Sequence, residues 1–427
     1  MIAGLWRQIY TLLFLLALPF VYLRLLWRSR RLPAYRERMG QRLGSVVVPK
    51  PFQRGIWVHA VSFGEAIVAT PLVKKLKAQY PHLPIVMTSM TPTGAAQIQK
   101  TFGEEVFHVY APYDLPCCIK RFLRQAQPCL AIFIETELWP NYLNLLKKHG
   151  IPSILANARL SEKSARGYGR FKQLTMTMLK QLSAIAVQAK ADADRFITLG
   201  ADEQRLTITG NIKFDVTIPA GLIEKASELR VQLGGNRLVW IAGSTHQGEE
   251  AQVLQAFAKV KKQFPNALLL LVPRHPDRFE EVIALCRSEQ YSVMLRSEQK
   301  ACDEQTDIFV GNTMGEMLLF YAASDVAFVG GSMINNGGHN MLEPALFAKP
   351  VISGTSMFNF AKISELLIDA HAMKVVNNSD QLADAVQHFF ANREDAEQYG
   401  KRALQVVENN RGALASHMKL IEALLGG

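Results

Sequence analysis

Short apolar runs rich in Val, Ile and Leu alternate with longer amphipathic segments along most of the chain. The runs fall into two series of six, at residues 56–62, 85–89, 106–110, 130–134, 154–156 and 184–188, and at 238–243, 268–273, 292–295, 308–311, 326–330 and 351–354. Strands covered on both faces have this nearly continuous apolar character, and the helices between them supply the cover. The pattern therefore predicts an α/β fold with two doubly wound, Rossmann-like parallel sheets facing a cleft.

The chain has 427 residues, more than one hydrophobic core usually holds, so two main domains are expected. We assign residues 1–30 to an N-terminal anchor and its basic flank, and 31–215 to the first domain. Residues 216–235, which contain a proline and a Gly-Gly pair, form the linker. The second domain covers 236–427, and we expect its terminal helices, within 381–425, to pack back onto the first domain.

The net charge of +11 is concentrated near the N-terminus. Residues 1–42 contain eight arginines and a single acid, Glu37, which gives this segment +7 and leaves about +4 for the remainder. The arginines occupy positions 7, 24, 28, 30, 31, 36, 38 and 42. Such a bias argues against a nucleic-acid-binding surface and for one local anionic partner.

An uncharged, leucine-rich run at residues 9–23 is flanked by Trp6, Tyr10, Tyr22 and Trp27. Flanking aromatic residues, with arginines after the run, are typical of a membrane segment whose following domains lie on the cytoplasmic side. Most of the positive charge follows the run and no small-residue cleavage site is present, which argues against a signal peptide. We predict an uncleaved anchor on anionic lipids, either a full span or a helix dipping into one leaflet, that requires no contact with the folded domains.

Several chemistries are excluded by missing motifs. The five cysteines show neither a C-x-x-C pair nor metal-ligand spacing with histidine, which favours a reducing compartment without a disulfide framework or zinc site. The absence of a dinucleotide fingerprint, a P-loop and an H-E-x-x-H pair argues against dehydrogenases, P-loop NTPases and zinc hydrolases. Asp192 and Asp194 fit the D-x-D pattern of metal-dependent glycosyltransferases, but we assign them to the solvated face of a helix. No metal or cofactor is predicted.

The segment 330–345, GGSMINNGGHNMLEPA, is the most informative single block for function. It follows a predicted strand, carries four glycines, and opens a helix at Asn340 with Glu343 at capping-box spacing. Glycines permit close backbone approach, and free N–H groups at a helix N-terminus attract anions. The block predicts a phosphate-bearing ligand, with a simple tight turn as the alternative.

Acids and one lysine follow predicted strands of the first series. Glu65 opens a helix after 56–62 and is either an N-terminal cap or a catalytic base. Glu135 directly follows 130–134 and is carried toward the predicted cleft, whereas Glu137 is assigned to the first turn of the next helix, as a structural acid. Lys213 closes the first domain and is directed toward the same cleft.

The second series ends its strands in similar chemistry. The segments 242–246 and 312–316 combine small and hydroxyl residues at predicted helix starts, and Arg274 follows 268–273. An arginine at that place suits a phosphate. Together with 330–345, four strand ends in one domain bear groups that bind anions or hydroxyls, which turns alone do not explain.

These residues fall within motifs that resemble the Kdo transferases of Gram-negative bacteria, the 3-deoxy-D-manno-octulosonic acid transferases of lipopolysaccharide synthesis. The motifs are HAVSFGE (59–65), MTPTG (90–94), YAPYD (110–114), ETELWPN (135–141), NARLS (157–161), GNIKFD (210–215), AGSTHQGEE (242–250), VPRHP (272–276), MGEM (314–317) and FVGGS…GGHNMLEPA (328–345). The resemblance implies a GT-B fold whose first domain binds the acceptor and whose second binds CMP-Kdo. It also implies a tetra-acylated, bisphosphorylated lipid A precursor as acceptor, and an enzyme at the inner membrane.

Residue roles follow from the same resemblance. Glu65 corresponds to the catalytic base, and Glu135 and Lys213 to a pair that stabilises the transition state. The CMP site corresponds to Pro273, Arg274, Met314, Gly315, Glu316, Asn340, Met341, Leu342 and Glu343. A basic segment at 159–172 is either a second contact for acceptor phosphates or a solvated face. A sugar-nucleotide epimerase and a non-catalytic membrane scaffold are the alternatives from other functional classes.

Overall fold

The computed structural model describes residues 2–30 and 32–426, so Arg31 of the basic flank lies outside the described residues. The chain forms two compact units. The first runs to Asp215 and also includes the chain from Arg411 onward, and the second comprises Val216–Asn410. Residues 216–235 therefore belong to the second unit rather than to a separate linker, and the last helix belongs to the first unit.

In the described part of the first unit, seven parallel strands form one sheet, in the order β3-β2-β1-β4-β5-β6-β7. The strands are β1 (Ile56–His59), β2 (Ile85–Ser89), β3 (Phe107–Tyr110), β4 (Leu130–Ile134), β5 (Ser153–Ala158), β6 (Ala184–Val187) and β7 (Leu206–Ile208). Its helices are α1 (Ile2–Arg28), α2 (Phe63–Gln79), α3 (Pro92–Phe102), α4 (Pro116–Ala126), α5 (Pro140–Lys148), α6 (Glu162–Gly169), α7 (Lys172–Gln181), α8 (Lys190–Thr198) and α17 (Ala413–Leu425).

The second unit repeats this plan, with the strand order β10-β11-β9-β8-β12-β13-β14. Its strands are β8 (Val239–Thr245), β9 (Leu268–Pro273), β10 (Val293–Leu295), β11 (Ile308–Val310), β12 (Val326–Val329), β13 (Val351–Gly354) and β14 (Met373–Val376). Its helices are α9 (Leu222–Gln232), α10 (Glu250–Gln263), α11 (Phe279–Ser288), α12 (Met317–Ala323), α13 (Leu342–Ala345), α14 (Ala361–Asp369), α15 (Ser379–Ala391) and α16 (Arg393–Asn409). The predicted doubly wound α/β class is confirmed, and each sheet gains one edge strand, β7 or β14, beyond the six predicted.

Both faces of the first sheet are covered, as the apolar runs indicate. Along β1, Trp57 packs into a cluster with Phe122 and Tyr142, whereas Val58 packs into the opposite layer, which contains Leu72 of α2. Successive side chains of a strand point to opposite faces, so a run without polar alternation must be buried on both. This burial fixes the carboxyl ends of the strands along one edge of the sheet.

Helix α1 packs lengthwise on the first unit, which corrects the expectation that it makes no required contact there. Arg7 donates to Asn141 Oδ1 at 3.3 Å, and Asn141 Nδ2 donates to Thr11 at 2.9 Å. Further along the helix, the rings of Phe14 and Tyr22 each lie 5.9 Å from that of Tyr113. Helix α1 is therefore an integral part of the first unit.

The opposite face of α1 is apolar and open. The helix segment 4–28 is long and apolar enough to cross a membrane, by length and composition. Only 6% of its most apolar stretch of 18 residues is buried. The large apolar residues of this helix that are more than half exposed are Leu5, Leu12, Leu13, Leu15, Leu16, Phe20, Leu23 and Trp27. In the basic flank, Arg42 is buried, stacks on Tyr110 and donates to Met90 O at 3.0 Å, so it is not available to lipid headgroups.

Helix α17 completes the first unit from the far end of the chain. Asp215 accepts hydrogen bonds from the backbone N–H groups of Gly412 and Leu414 and so caps the start of the helix. The buried His417 accepts from Asn157 N at 2.8 Å through Nε2 and donates through Nδ1 to Ala413 O. The end of the chain therefore fixes the backbone beside the last strands of the first sheet.

Candidate active site

Glu65 lies in the first turn of α2 and forms a capping box with Ser62. The Ser62 hydroxyl accepts from Glu65 N and donates to Glu65 Oε1 at 2.8 Å, and Val61 N donates to Oε2 at 2.7 Å. These bonds hold the carboxylate at the carboxyl end of β1. Glu65 is therefore a helix cap in its local geometry. Its carboxylate is held in place by these bonds and is half-buried.

Glu135 follows β4 in the left-handed region, with φ of 62°. A non-glycine residue is uncommon there, and such strain is concentrated at functional sites. Because β1 and β4 are neighbours in the sheet, Glu135 and Glu65 emerge from adjacent strand ends. Their charges interact, since Glu135 contributes to raising the pKa of Glu65.

Glu137 corrects the sequence assignment, because α5 begins only at Pro140 and Glu137 lies in the preceding loop. Its carboxylate accepts from Trp139 Nε1 at 2.6 Å. Burial, followed by the charge of Glu135, raises the pKa of Glu137. Glu137 is therefore a third carboxylate of the cluster, and sequence reasoning missed it.

Lys213 lies in a short 3₁₀ turn, Ile212–Phe214, which starts with Asn211 as its cap. Asn157, with φ of 52°, accepts from Ile212 N at 3.0 Å and so holds this turn against β5. Burial lowers the pKa of Lys213, while the charge of Glu135 opposes that change. The structure therefore brings Lys213 within electrostatic reach of Glu135 although β4 and β7 are not neighbours in the sheet.

The three carboxylates share one low-polarity environment. Burial, and next the charge of Glu137, raises the pKa of Glu65 to about 8. A carboxyl group whose pKa lies near neutrality is suited to accept a proton during catalysis. With Lys213 as a cation in the same cluster, this edge of the first sheet can deprotonate a hydroxyl and stabilise negative charge.

The glycine-rich turn after β12 binds a carboxylate of the chain itself, not the ligand phosphate that the sequence predicts. Buried Glu249 accepts hydrogen bonds from the N–H groups of Gly331 (2.6 Å), Ser332 (2.9 Å) and Met333 (2.9 Å), and from His246 N at 3.1 Å. These N–H groups, expected to meet a ligand phosphate, are already paired with a carboxylate of the chain. Glu249 is thus the brace of this loop.

The later part of the segment 330–345, around Asn340 and Glu343, has polar side chains that can meet a ligand. Asn340 accepts from Leu342 N and donates through Nδ2 to Glu343 Oε1, each at 3.2 Å. The predicted capping box is wrong, because α13 begins at Leu342 and the two side chains bond to each other rather than to each other's backbone N–H. Burial raises the pKa of Glu343 to about 7, and Arg274 opposes this rise. The Met341 and Leu342 side chains lie in the core, so only their backbone can meet a ligand.

Glu316 is held by Arg296 through two hydrogen bonds, at 3.1 Å from Nε and 2.8 Å from Nη2. Arg296 lowers the pKa of Glu316, which is therefore an ionised brace. The adjoining Gly315 has φ of 87°, and Met314 is half exposed. Helix α12 begins at Met317, so residues 314–316 form a shaped loop ahead of it rather than its first turn.

Three histidines converge at the ends of β8, β9 and β12, and the sequence analysis did not select them. The Nε2 atoms of His246 and His339 are 2.7 Å apart, and the ring of His275 lies 5.2 Å from that of His246. Each histidine follows one of three neighbouring strands, a signal that would have identified the cluster from the predicted sheet edge. Pro273 ends β9 beside them, and Arg274 N donates to Thr245 O.

Comparison with known proteins identifies the family. A family model described as 3-deoxy-D-manno-octulosonic-acid transferase (kdotransferase) matches residues 35–216, and one for glycosyl transferases group 1 matches 249–406. Over 98% of its length the chain is 42% identical to the 3-deoxy-D-manno-octulosonic acid transferase of Haemophilus influenzae, of which it covers 99%. The chain belongs to the Kdo transferase family. It is a glycosyltransferase of lipopolysaccharide biosynthesis.

Two solved structures are also similar to this Kdo transferase. The C-terminal CMP-Kdo binding domain of WaaA from Acinetobacter baumannii is 34% identical, with coverage of 44% of this chain and 99% of that domain and a TM-score of 0.43. UDP-GlcNAc 2-epimerase from Neisseria meningitidis is 13% identical, with coverage of 88% of this chain and 100% of that one and a TM-score of 0.56. At that identity the epimerase shares the fold alone.

The acids of the D-x-D pattern are engaged within the Kdo transferase structure. Asp192 is buried at the start of α8 and accepts from Leu160 N at 2.9 Å, whereas exposed Asp194 pairs with Lys190 at 3.3 Å. Within residues 2–30 and 32–426, no group of three or more His, Cys, Asp or Glu side chains has the arrangement of a metal site. The assignment to a solvated helix face is therefore confirmed for Asp194 and wrong for Asp192, which is buried because it accepts from the backbone before α6.

Proposed function

We propose that this Kdo transferase moves Kdo from CMP-Kdo to a sugar hydroxyl of the tetra-acylated lipid A precursor, with inversion at the anomeric carbon. The observation that carries the proposal is the cluster of Glu65, Glu135, Glu137 and Lys213 at one edge of the first sheet. The cluster lies within residues 35–216, the part matched by the Kdo transferase family model. The cluster combines a carboxylate that can accept a proton with a lysine cation, and both groups are partly buried.

Glu65 acts as the general base. A sugar hydroxyl is a weak nucleophile, so a positioned carboxylate must take its proton as the new bond forms. The Val61 N–H and Ser62 hydroxyl fix the carboxylate, and each oxygen retains a lone pair for the acceptor hydroxyl. Its pKa of about 8 places proton acceptance close to physiological pH.

Glu135 and Lys213 stabilise the transition state. As the bond to CMP breaks, positive charge develops at the anomeric carbon and negative charge on the departing phosphate. Burial disfavours the charged form of Lys213, and the charge of Glu135 keeps it protonated and able to donate. The strained backbone of Glu135 is the local cost of holding its carboxylate there.

The second unit holds CMP. Arg274 is suited to the phosphate, and the carboxyl group of Glu343, held by Asn340, is suited to the ribose hydroxyls. The remaining residues of this pocket shape it through backbone and loop geometry: Pro273, Met314, Gly315, Glu316, Met341 and Leu342. A donor with one phosphate, unlike the diphosphate sugars, has less need of a bridging metal.

Helix α1 attaches the enzyme to the cytoplasmic face of the inner membrane. Because α1 contacts the first unit from Arg7 to Tyr22, only its outer apolar face is free to enter lipid, which favours a helix lying in one leaflet over a full span. Nearby, α7 contacts α1, and Phe171 beside it is 58% exposed. The exposed cations around Phe171 suit anionic headgroups or the acceptor's phosphates: Lys163, Arg166, Arg170 and Lys172.

The test measures product formation by mass spectrometry from purified enzyme, CMP-Kdo and lipid A precursor. We expect Glu65→Gln to lower transfer by roughly 10²–10⁴, the usual scale of general base catalysis, while CMP binding is unchanged. The matched control is Glu105→Gln, which removes an exposed carboxylate of the same unit. Near-normal transfer by Glu65→Gln together with an inactive Glu135→Gln would require the two roles to be exchanged, and product formed without lipid would favour an epimerase.

The pH dependence gives a second readout. Because the base must be ionised, wild-type turnover should rise with pH up to about 8 and then level off, and this limb should vanish in Glu65→Gln. The stability effect has the opposite sign. A carboxyl group with a raised pKa in the folded state favours folding when protonated, and that contribution is lost as pH rises from 4.5 to about 8.

A further inference from the structure

The second unit contains an apolar pocket that none of the roles assigned so far uses. Its volume is about 560 Å³, which lies within the range of roughly 300–1,000 Å³ that small-molecule pockets have. Helices α9, α12 and α16 line it, together with the segment that follows α13. Most of the lining side chains are apolar, among them Ile218, Ile223, Ala226, Leu346, Phe347 and Leu404.

The pocket lies beside the amino ends of the strands. Arg230, which lines it, pairs at 2.8 Å with Asp325, the residue that precedes β12, and donates to Arg237 O shortly before β8. Lys349, which also lines it, lies two residues before β13. The residues assigned to CMP follow the carboxyl ends of β9, β11 and β12, at the opposite edge of the sheet. Because ligands of open parallel sheets bind at the carboxyl edge, this pocket is a second site rather than an extension of the first.

Lys349 is a cation of this pocket without an acid of its own. Arg230 is neutralised by Asp325, whose Oδ2 also accepts from Val239 N at 2.8 Å. Within residues 2–30 and 32–426, the Lys349 ammonium makes no hydrogen bond or ion pair. Burial lowers the pKa of Lys349, and Asp325 opposes this change while Arg230 adds to it. Two cations and one acid leave the pocket with one uncompensated positive charge.

The backbone that carries Lys349 is strained and closely packed. Ala348 has φ of 51°, in the left-handed region that residues other than glycine rarely adopt. Gly400 of α16 packs directly against Ala348 O, where an added Cβ would clash. Strain of this kind persists only where the surroundings hold it, and it is concentrated at functional sites. The fold therefore holds Lys349 in the wall of the pocket.

We propose that this pocket binds a single-chain amphiphilic anion, a long-chain carboxylate, through the Lys349 ammonium. The carboxylate supplies the acid partner that Lys349 lacks, in a charge-assisted hydrogen bond. The alkyl chain covers Ile218 and Ile223, which are 39% and 49% exposed. No covalent bond is made or broken.

Charge and size together select this ligand class. A partly buried cation is costly while it is unpaired, so an anion is favoured over a neutral amphiphile of the same length. One uncompensated charge matches one carboxylate. The lining offers no second free cation for a headgroup with more than one negative charge, since Arg230 is already paired. The apolar residues of the lining suit the alkyl chain.

The experiment is photolabelling of the full-length enzyme with dodecanoate that carries a terminal diazirine, below its micellar concentration, with labelled peptides identified by mass spectrometry. We expect label on peptides that contain residues 218–230 and 346–349, with and without saturating CMP. The open apolar face of α1 takes up alkyl chains of any headgroup and so provides an internal reference. Dodecanol with the same diazirine should label the pocket less than the acid does, relative to α1, by about tenfold or more.

Variants test the role of the charge. Lys349→Met keeps an apolar stem and Ile223→Glu places a competing carboxylate at the half-exposed rim, so each should lower pocket labelling by about tenfold or more while α1 is labelled as before. Lys349→Arg keeps the charge and should retain the label. The matched control is Lys362→Met, whose lysine is 58% exposed and pairs with Glu365.

Folding of each variant is checked by its Tm and by the increase in Tm that CMP causes in the wild type. Ile223→Glu changes an exposed residue, so it keeps the test valid if Lys349→Met does not fold. An unlabelled pocket in the wild type overturns the proposal, as does equal labelling by the acid and the alcohol. Pocket labelling that persists in both charge variants, or that CMP displaces, also overturns it.

Discussion

Replacing Glu249 by Gln tests how strongly its carboxylate stabilises the glycine-rich loop. The carboxylate accepts four backbone N–H groups, from His246, Gly331, Ser332 and Met333, at 2.6 to 3.1 Å. Glutamine has nearly the same shape, but only its carbonyl oxygen accepts, and its NH₂ group faces the N–H groups on the other side. Two buried donors therefore lose their acceptor.

The cost follows from these two donors. A buried N–H left without a partner costs about 1–3 kcal/mol, so the free energy of unfolding of the second unit should fall by roughly 2–6 kcal/mol. In a domain of 150–250 residues each kcal/mol shifts Tm by about 2–4 °C, so a loss of about 4 kcal/mol lowers Tm by about 12 °C. The loss should be accompanied by weaker CMP binding, because the same loop leads to Asn340 of the proposed CMP site.

Differential scanning calorimetry is the assay, and the transition that CMP shifts upward is assigned to the second unit. The control is Glu281→Gln, whose carboxylate is 56% exposed and pairs with Arg278 at 3.2 Å. Exposed pairs of this kind contribute about 0–1 kcal/mol. A Glu249→Gln enzyme with a free energy of unfolding within about 1 kcal/mol of the wild type would refute the brace.

Two further predictions concern the first unit. His417→Ala removes the acceptor of the buried Asn157 N–H and loosens the turn that holds Lys213. The kcat of transfer should therefore fall, while CMP binding in the second unit is unchanged. A kcat equal to that of the wild type would contradict this link. The double change Leu12→Glu and Leu16→Glu places charges on the open face of α1, where these side chains are 58% and 63% exposed. It should release the enzyme from vesicles in flotation assays without lowering its Tm, and retention on vesicles would move the attachment surface elsewhere.

Continuous burial made most of the fold predictable. The runs at 130–134, 268–273 and 351–354 coincide with β4, β9 and β13, because each strand is buried along its whole length. The strands β7 and β14 were missed for the opposite reason. They are short edge strands with exposed side chains at Thr207 and Val375, so their sequences lack a continuous apolar run.

Contacts distant in sequence limited the prediction of the site. The capping box at Glu65 is local and is readable from S-x-x-E spacing, whereas three of the four N–H groups bound by Glu249 lie more than eighty residues away. The glycines of 330–331 correctly indicated a backbone that binds an anion, but the anion is a carboxylate of the protein itself. The proximity of Lys213 to Glu135 likewise depends on Asn157. No local sequence pattern predicted the left-handed conformation of this residue.

The return of α17 to the first unit has a consequence for biosynthesis. Residues 216–410 are translated between the first sheet and the helix that covers it, an interval of roughly 10–40 s at about 5–20 residues per second. During that interval α2 lacks the buried side chains of Met418 and Ile421, and Asp215 lacks the N–H groups it caps. A nascent first unit therefore keeps this apolar face uncovered until α17 has left the ribosome.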